Sequence, residues 1–249
     1  MQIKVKETII NDGHTKICVP VVEEYEEEIL EYVKEIKEKK FIDIIELRLD
    51  FYKDVMKIDK LLALLQKIQE EIEYIPLLCT IRTKEEGGNL SIALNDYQMI
   101  YQTLMASGFV DILDIEYSLS KKVVEDLIIC AKEHGVATML SYHNFHKTMT
   151  SEEVIDKMEA MQRLAVDILK IAVIAKNQED VDALIKAGSY ISSQNKTPII
   201  AIAMGEIGIS TRLDTKVIGS CISYASLHKT SAPGQVNWNE VYDYISTHE

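Results

Sequence analysis

Short β-branched runs alternate along this chain with longer amphipathic segments rich in charge. "KICVPV" (16–21) precedes the helical pattern "EEYEEEILEYVKEIKEKK" (23–40), and "FIDIIELRLD" (41–50) precedes a helix over 55–73. In that helix Leu61, Leu64, Leu65 and Ile68 fall on one face, the 3.6-residue period of a packed helix. Further strands are predicted at 76–83, 109–117, 136–145 and 166–175, each leading to a helix, near 91–107, 119–134, 151–164 and 178–194. "TPIIAIAM" (197–204) leads to a short helical piece, and "KVIGSCISYA" (216–225) is read as the last strand. It passes through "SAPGQ" (231–235) to a helix over 238–247. Ahead of these units, "MQIKVKETII" alternates polar and apolar residues and predicts a hairpin turning through "NDGH" (11–14).

Strands alternating with helices are βαβ units, which build a parallel sheet. Eight such units without a Pro/Gly/Ser-rich linker predict one closed (β/α)8 TIM barrel over residues 1–249, its bottom closed by the hairpin. An open doubly wound sheet would be favoured by G-x-G-x-x-G after the first strand, and that motif is missing.

Polar residues interrupt the strands at informative places. "VDILKIAVIAK" (166–176) is apolar on both sides of Lys170, as in a strand buried on both faces. An unpaired ammonium there costs several kcal/mol, roughly, so the lysine needs a reason. Alternation places Ile168, Lys170 and Ala172 on one face and Leu169, Ile171 and Val173 on the other. The same parity groups Glu46, Arg48 and Asp50, then Thr80 with Arg82, then Ser141, His143 and Phe145. If Lys170 faces the barrel interior, these groups converge at the C-terminal strand ends, where barrel active sites lie. Each has a bland alternative: Glu46 and Arg48 as a structural ion pair, His143 as a hydrogen-bonded core residue, Lys170 as a neutralised partner of a carboxylate. Together they exceed what core filling requires.

Composition narrows the chemistry. The 27 basic and 40 acidic side chains give a net charge of −13, which argues against nucleic-acid binding, since that needs a basic face. No segment approaches the ~20 apolar residues of a membrane span. Cys18, Cys79, Cys130 and Cys221 are widely spaced without a C-x-x-C pair, and no signal-type apolar core leads the chain. A reduced cytoplasmic protein without structural zinc is expected. No H-E-x-x-H, acidic metal cluster or P-loop is seen, so metal-free and cofactor-free chemistry is expected. A lysine among apolar walls and near arginines has its neutral amine favoured, and a neutral amine attacks ketones to form an imine. A histidine is suited to move the adjacent proton, and arginine to hold a carboxylate or phosphate. The residues thus predict lysine-imine catalysis on an anionic carbonyl substrate.

"ELRLD" (46–50), "TIRTKEEGG" (80–88), "SYHNFHKT" (141–148), "DILKIAV" (167–173), "MGEIGISTR" (204–212) and "SAPGQ" (231–235) resemble, in order, the motifs of type I 3-dehydroquinate dehydratase. The resemblance implies a (β/α)8 barrel, a homodimer, and dehydration of 3-dehydroquinate to 3-dehydroshikimate in the shikimate pathway toward aromatic amino acids. Lys170 matches its imine-forming lysine, His143 its general acid/base, and Glu86 the carboxylate that orients that histidine. Glu46, Arg48 and Arg82 match residues positioning the ring hydroxyls and the reacting centre, and Arg212 the arginine holding the substrate carboxylate. Ser231 and Gln235 match contacts from the loop that closes over the site, and Met204 lines the pocket. Two positions depart from the pattern: Ile202 stands where a second methionine is expected, and Tyr224 where the aromatic is often phenylalanine. His146 competes with His143 but falls on the opposite parity, which favours a structural role.

Two other readings stay open at this stage. A lysine-imine aldolase uses the same barrel, but one acting on sugar phosphates favours a glycine-rich phosphate site, where this chain has Arg212 and "SAPGQ". A barrel that binds a pathway metabolite without turning it over is the other. The acidic run 23–40 reads as a solvated helix face with pairs such as Glu31–Lys34 and Glu35–Lys39, and Lys229 as an exposed loop residue.

Overall fold

The computed structural model describes residues 1–39 and 41–248, so Lys40 and Glu249, the ends of two predicted spans, lie outside the described residues. A two-stranded antiparallel hairpin, β1 (Ile3–Val5) and β2 (Thr8–Ile10), comes first. The main sheet contains β3 (Lys16–Val21), β4 (Ile44–Arg48), β5 (Leu77–Thr80), β6 (Ile112–Glu116) and β7 (Ala137–Asn144). It continues through β8 (Ile168–Ile174), β9 (Ile199–Met204), β10 (Ile222–Ser226) and the short β11 (Val236–Asn237). All nine are parallel, in the order β11-β10-β3-β4-β5-β6-β7-β8-β9. The sheet closes where Cys221 N donates to Ile199 O at 2.9 Å and Ile199 bridges Ser220. This is the (β/α)8 barrel that the alternation predicts.

The helices between strands are α1 (Glu26–Lys37), α2 (Ile58–Ile72), α3 (Leu94–Ser107), α4 (Lys121–His134), α5 (Ser151–Gln162) and α6 (Gln178–Ser193). Two one-turn pieces, α7 (Ser210–Leu213) and α8 (Thr215–Ile218), and the last helix α9 (Trp238–His248) complete the ring. Leu61, Leu64, Leu65 and Ile68 of α2 are buried against the sheet, as their spacing requires. Capping boxes at Thr150 and Asn177 fix the starts of α5 and α6.

Strand alternation sorts the apolar residues into two layers. Leu47, Leu169, Ile171 and Val173 belong to the layer between sheet and helices. Cys18, Ile44, Leu78, Ile112, Met139, Ile168, Ile200 and Ile222 fill the interior, and Val5 and Ile10 of the hairpin pack with them. The bottom of the barrel is therefore a dry plug, which pushes the interior polar residues to the opposite end.

Two predicted details are corrected. The hairpin turns at Lys6–Glu7, with Val5 opposite Thr8, and residues 11–14 only join it to β3. That register keeps Val5 and Ile10 on the barrel floor, and Lys6 takes the left-handed turn conformation (φ +50°). Residues 216–218 of the predicted last strand belong to α8 instead. Ile218 is drawn into a helical turn because it seats against Gly188 of α6, where an added Cβ would lie 2.7 Å from its side chain.

The acidic helix α1 does more than meet solvent. Glu35 takes His228 at 2.9 Å rather than the predicted Lys39, and Glu23, just before α1, pairs with Lys229 at 3.4 Å. Among the described residues no helix is long and apolar enough to cross a membrane.

Candidate active site

The upper mouth of the barrel gathers side chains from six barrel strands and the loops that follow them. Glu46, Arg48, Arg82, Glu86, His143, Lys170, Met204, Arg212 and Ser231 all line it, with apolar Ala172, Ile202, Phe145 and Tyr224 between them. They enclose about 530 Å³ of empty space, part of it open to solvent. Of the residues predicted for the site, Gln235 alone does not line it. Its Oε1 instead accepts from the Ser231 backbone N at 2.6 Å and Oγ at 3.1 Å, bracing the loop from inside. His146 is exposed and also absent from the mouth, its backbone N bound to Asn144 Oδ1.

Lys170 projects from the middle of β8 and is 5% exposed. Its Nζ lies 3.6 Å from Asp114 Oδ2 and 4.0 Å from Glu46 Oε1, too far for tight ion pairs. Burial lowers its pKa; Glu46 and Asp114 oppose that only in part, and the Arg82 charge reinforces it. The amine is thereby shifted toward its neutral, nucleophilic form.

His143, near the end of β7, is oriented by Glu86 from the 3-10 turn Lys84–Glu86. Glu86 Oε2 accepts from both the His143 backbone N (3.0 Å) and Nδ1 (2.9 Å), while Ser118 Oγ donates to Oε1 at 2.5 Å. Burial pushes the His143 pKa well below its ordinary value, and Arg82, Lys170 and Arg48 push the same way. The imidazole is therefore neutral, with Nδ1–H on the carboxylate and Nε2 left for a substrate proton. Burial raises the Glu86 carboxyl to about 7 despite the opposing Arg82, with Glu116 and Asp114 adding to the rise.

Beneath these groups lies a charged lattice. Arg82 donates through NH2 to Asp114 (2.7 Å) and through NH1 to Glu116 (2.9 Å), Ser141 (2.9 Å) and Glu86 (3.4 Å). Ser141 Oγ also bonds Asp114 Oδ1, and Glu116 accepts from Thr83 N and Oγ1 at 2.9 and 2.7 Å. Burial would raise the Asp114 pKa, but Arg82, Lys170 and Ser141 outweigh it and hold the group ionised. Arg48 is bidentate on Asp50 at 2.8 and 2.9 Å, and Glu46 accepts from Thr80 at 2.9 Å. Arg82 thus holds four partners of the scaffold, and its predicted place at the mouth is that of a fixed wall.

Arg212 on α7 differs from the other cations. It is 2% exposed, and among the described residues its Nε has no partner and its Nη2 reaches only Pro233 O at 3.3 Å. Among the described residues no carboxylate neutralises it, and burial alone drops its pKa to about 10. A buried, unneutralised guanidinium is a ready site for an anionic group that can take two parallel hydrogen bonds. Its backbone neighbour Pro233 sits in the 231–235 loop, whose Pro233 O also accepts from Gly205 N at 3.3 Å.

Asp114, Glu116 and Ser118 are the functional neighbours that sequence reasoning passed over. The signal was available, because Asp114 and Glu116 share one parity in "FVDILDIEY" and oppose Leu113 and Ile115. Among the described residues no group of three or more His, Cys, Asp or Glu is placed to hold a metal ion.

The chain matches the family model for type I 3-dehydroquinase over residues 17–248. It is 39% identical over 249 residues to 3-dehydroquinate dehydratase of Clostridium kluyveri, covering 98% of this chain and 96% of that one. A crystal structure of type I 3-dehydroquinate dehydratase from Clostridium difficile with covalent modified comenic acid superposes with a TM-score of 0.95 at 31% identity, covering 99% of this chain and 97% of that chain. The 3-dehydroquinate dehydratase of Geobacillus kaustophilus gives the same TM-score of 0.95 at 30% identity, with 99% and 96% covered.

Proposed function

Because this chain belongs to the type I 3-dehydroquinase family, we infer that it dehydrates 3-dehydroquinate to 3-dehydroshikimate through an imine on Lys170. The reaction is a hydro-lyase step of the shikimate pathway. One observation supports the residue assignment above others. A lysine displaced toward its neutral form shares a mouth with a neutral, carboxylate-oriented histidine and an arginine that lacks a counter-charge.

Arg212 takes the substrate carboxylate, which neutralises its buried charge and turns the ketone toward Lys170. The amine nitrogen adds to the ketone carbon while the carbonyl oxygen accepts a proton. That oxygen leaves as water, and C=N–H⁺ remains on Lys170. His143 Nε2 removes a proton from the neighbouring carbon, and the C–H electron pair moves to the nitrogen as an enamine. The pair returns to expel the adjacent hydroxyl, which leaves as water with the proton His143 had taken. Addition of water to the imine then frees the conjugated enone and the amine, for a net loss of one water.

Glu86 holds the histidine tautomer throughout. Glu46 and Arg48 meet the ring hydroxyls, Met204 and Ile202 give the apolar wall, and Ser231 closes from the loop that Gln235 braces. Ile202 and Tyr224 keep the bulk of the residues the family pattern favours, so they change the wall and not the proton path. We further propose a cytoplasmic homodimer, as the family resemblance implies; sedimentation velocity at micromolar concentration should give twice the chain mass.

The test of function is direct. Mixing the protein with 3-dehydroquinate should produce the growing ultraviolet absorbance of a conjugated enone. A flat trace, with cleavage of a sugar phosphate instead, would replace this reading with an aldolase.

A further inference from the structure

Tyr224 on β10 sets an aromatic face against the Lys170 nitrogen. It is 4% exposed, and Nζ sits over the ring, 3.9 Å from its centroid. A cation on such a face is attracted by the ring's quadrupole, more strongly as water is excluded. The hydroxyl points elsewhere, donating to Met139 Sδ at 3.5 Å, and burial holds the phenol un-ionised. Among the described residues no other cation lies over this ring.

The other groups facing the nitrogen are committed or repulsive. Glu46 accepts from Thr80, and Asp114 is divided among Arg82, Ser141 and Lys170. Arg82 and His143 stand on the same mouth, and the Cys18 thiol, raised by burial, stays neutral. Apolar Ala172, Ile202 and Met204 complete the surroundings.

We propose that Tyr224 is a catalytic residue whose π face bears the positive charge of the protonated imine on Lys170, while its hydroxyl takes no part. The proposal rests on the imine reading given above. An imine withdraws electrons from the adjacent carbon only while its nitrogen is protonated, and an apolar pocket favours loss of that proton. A ring face favours the charged form without offering a lone pair to remove the proton or attack the imine carbon. The attacking species is the neutral amine, so the attraction grows as the reaction develops charge, which is what lowers a barrier. No bond to the ring forms or breaks.

A fluorine series at position 224 of the full chain tests this. Tyr224→Phe is the reference, and Tyr224 is then replaced by phenylalanine carrying one, two and three ring fluorines, each weakening the negative face at nearly constant volume. Across the series kcat should fall stepwise, by roughly fivefold to thirtyfold. The alkaline limit of cyanoborohydride trapping on Lys170 in the presence of 3-dehydroquinate should move to lower pH in the same order. If kcat and the trapping limit stay flat while the Lys170 adduct still forms, the proposal fails and the imine reading stands. If the unsubstituted protein yields no Lys170 adduct, both fail.

Discussion

At Arg212 the fold buries a guanidinium whose Nε has no acceptor, and burial lowers its pKa to about 10. Protonation is then disfavoured in the folded chain relative to the unfolded one. The charge opposes folding in full at pH below about 10, and the penalty shrinks gradually as pH rises from there toward the ordinary guanidinium value. Arg212→Met, which keeps the length and removes the charge, should leave Tm equal or higher without ligand and lower kcat/KM roughly a hundredfold. A carboxylate analogue of the substrate should raise Tm in the unaltered protein and fail to do so in the variant. Glu86 gives a pH signature. Its folded pKa, about 7, lies above the ordinary carboxyl value of 4.5, so its contribution to stability is present below 4.5 and lost as pH rises through 7. Activity runs the opposite way, since the ionised carboxylate orients His143. The acid limb of kcat/KM should fall near pH 7, and Glu86→Gln should flatten that limb, lower the plateau and reduce the stability lost between pH 5 and 8. Lys170 and His143 were legible in the sequence because charge in an apolar strand or at a strand end is conspicuous, whereas Arg212, on α7 beyond the end of β9, stood out only through the family motif "MGEIGISTR". The lattice of Asp114, Glu116 and Ser118 was not, because a carboxylate that serves Arg82 looks like any other until the strands are side by side.

On the proposed function, the loop 231–235 is the element that closes over the site. Gly234 has φ +73°, and a Cβ there would lie 2.3 Å from Gly205 O. Glycine is therefore required twice, by backbone conformation and by close approach. Gly234→Ala should displace the loop from Gly205 and loosen the Pro233 O contact of Arg212. The expected result is a roughly tenfold loss of kcat/KM, the scale of a strained left-handed residue, with little change in thermal unfolding. Unchanged kinetics would show that this loop does not govern the site. The regular elements were readable from period alone: the first barrel strand prediction, 16–21, coincides with β3, and the predicted α2 face is buried residue for residue. What period could not give was α8, where Val217 and Ile218 read as strand residues but Ile218 turns inward onto Gly188. The hairpin turn at Lys6–Glu7 was hidden for a related reason. "NDGH" carries stronger turn chemistry, but Val5 and Ile10 must meet the barrel floor.

Over the whole molecule, the closed sheet separates a sealed end from a reactive one. The hairpin and the inner apolar layer fill the floor, and the polar residues of β4, β7 and β8, with those just beyond β5 and β9, gather at the opposite mouth. The net charge of −13 is thus compatible with an anionic substrate, because the cations that matter are gathered at one place. Fold class was legible from the eightfold alternation, and convergence from strand parity, since both are periodic properties that no single contact decides. Closure between β9 and β10 rests on a few bonds around Ile199, Ser220 and Cys221, which no local pattern announces. On the proposed function, this architecture presents Lys170 as an imine-forming amine. Borohydride reduction in the presence of 3-dehydroquinate, followed by peptide mass mapping, tests it most directly. One reduced substrate adduct is expected, on the peptide containing Lys170, and none in Lys170→Ala. An adduct on another lysine, or turnover with no adduct at all, would contradict it.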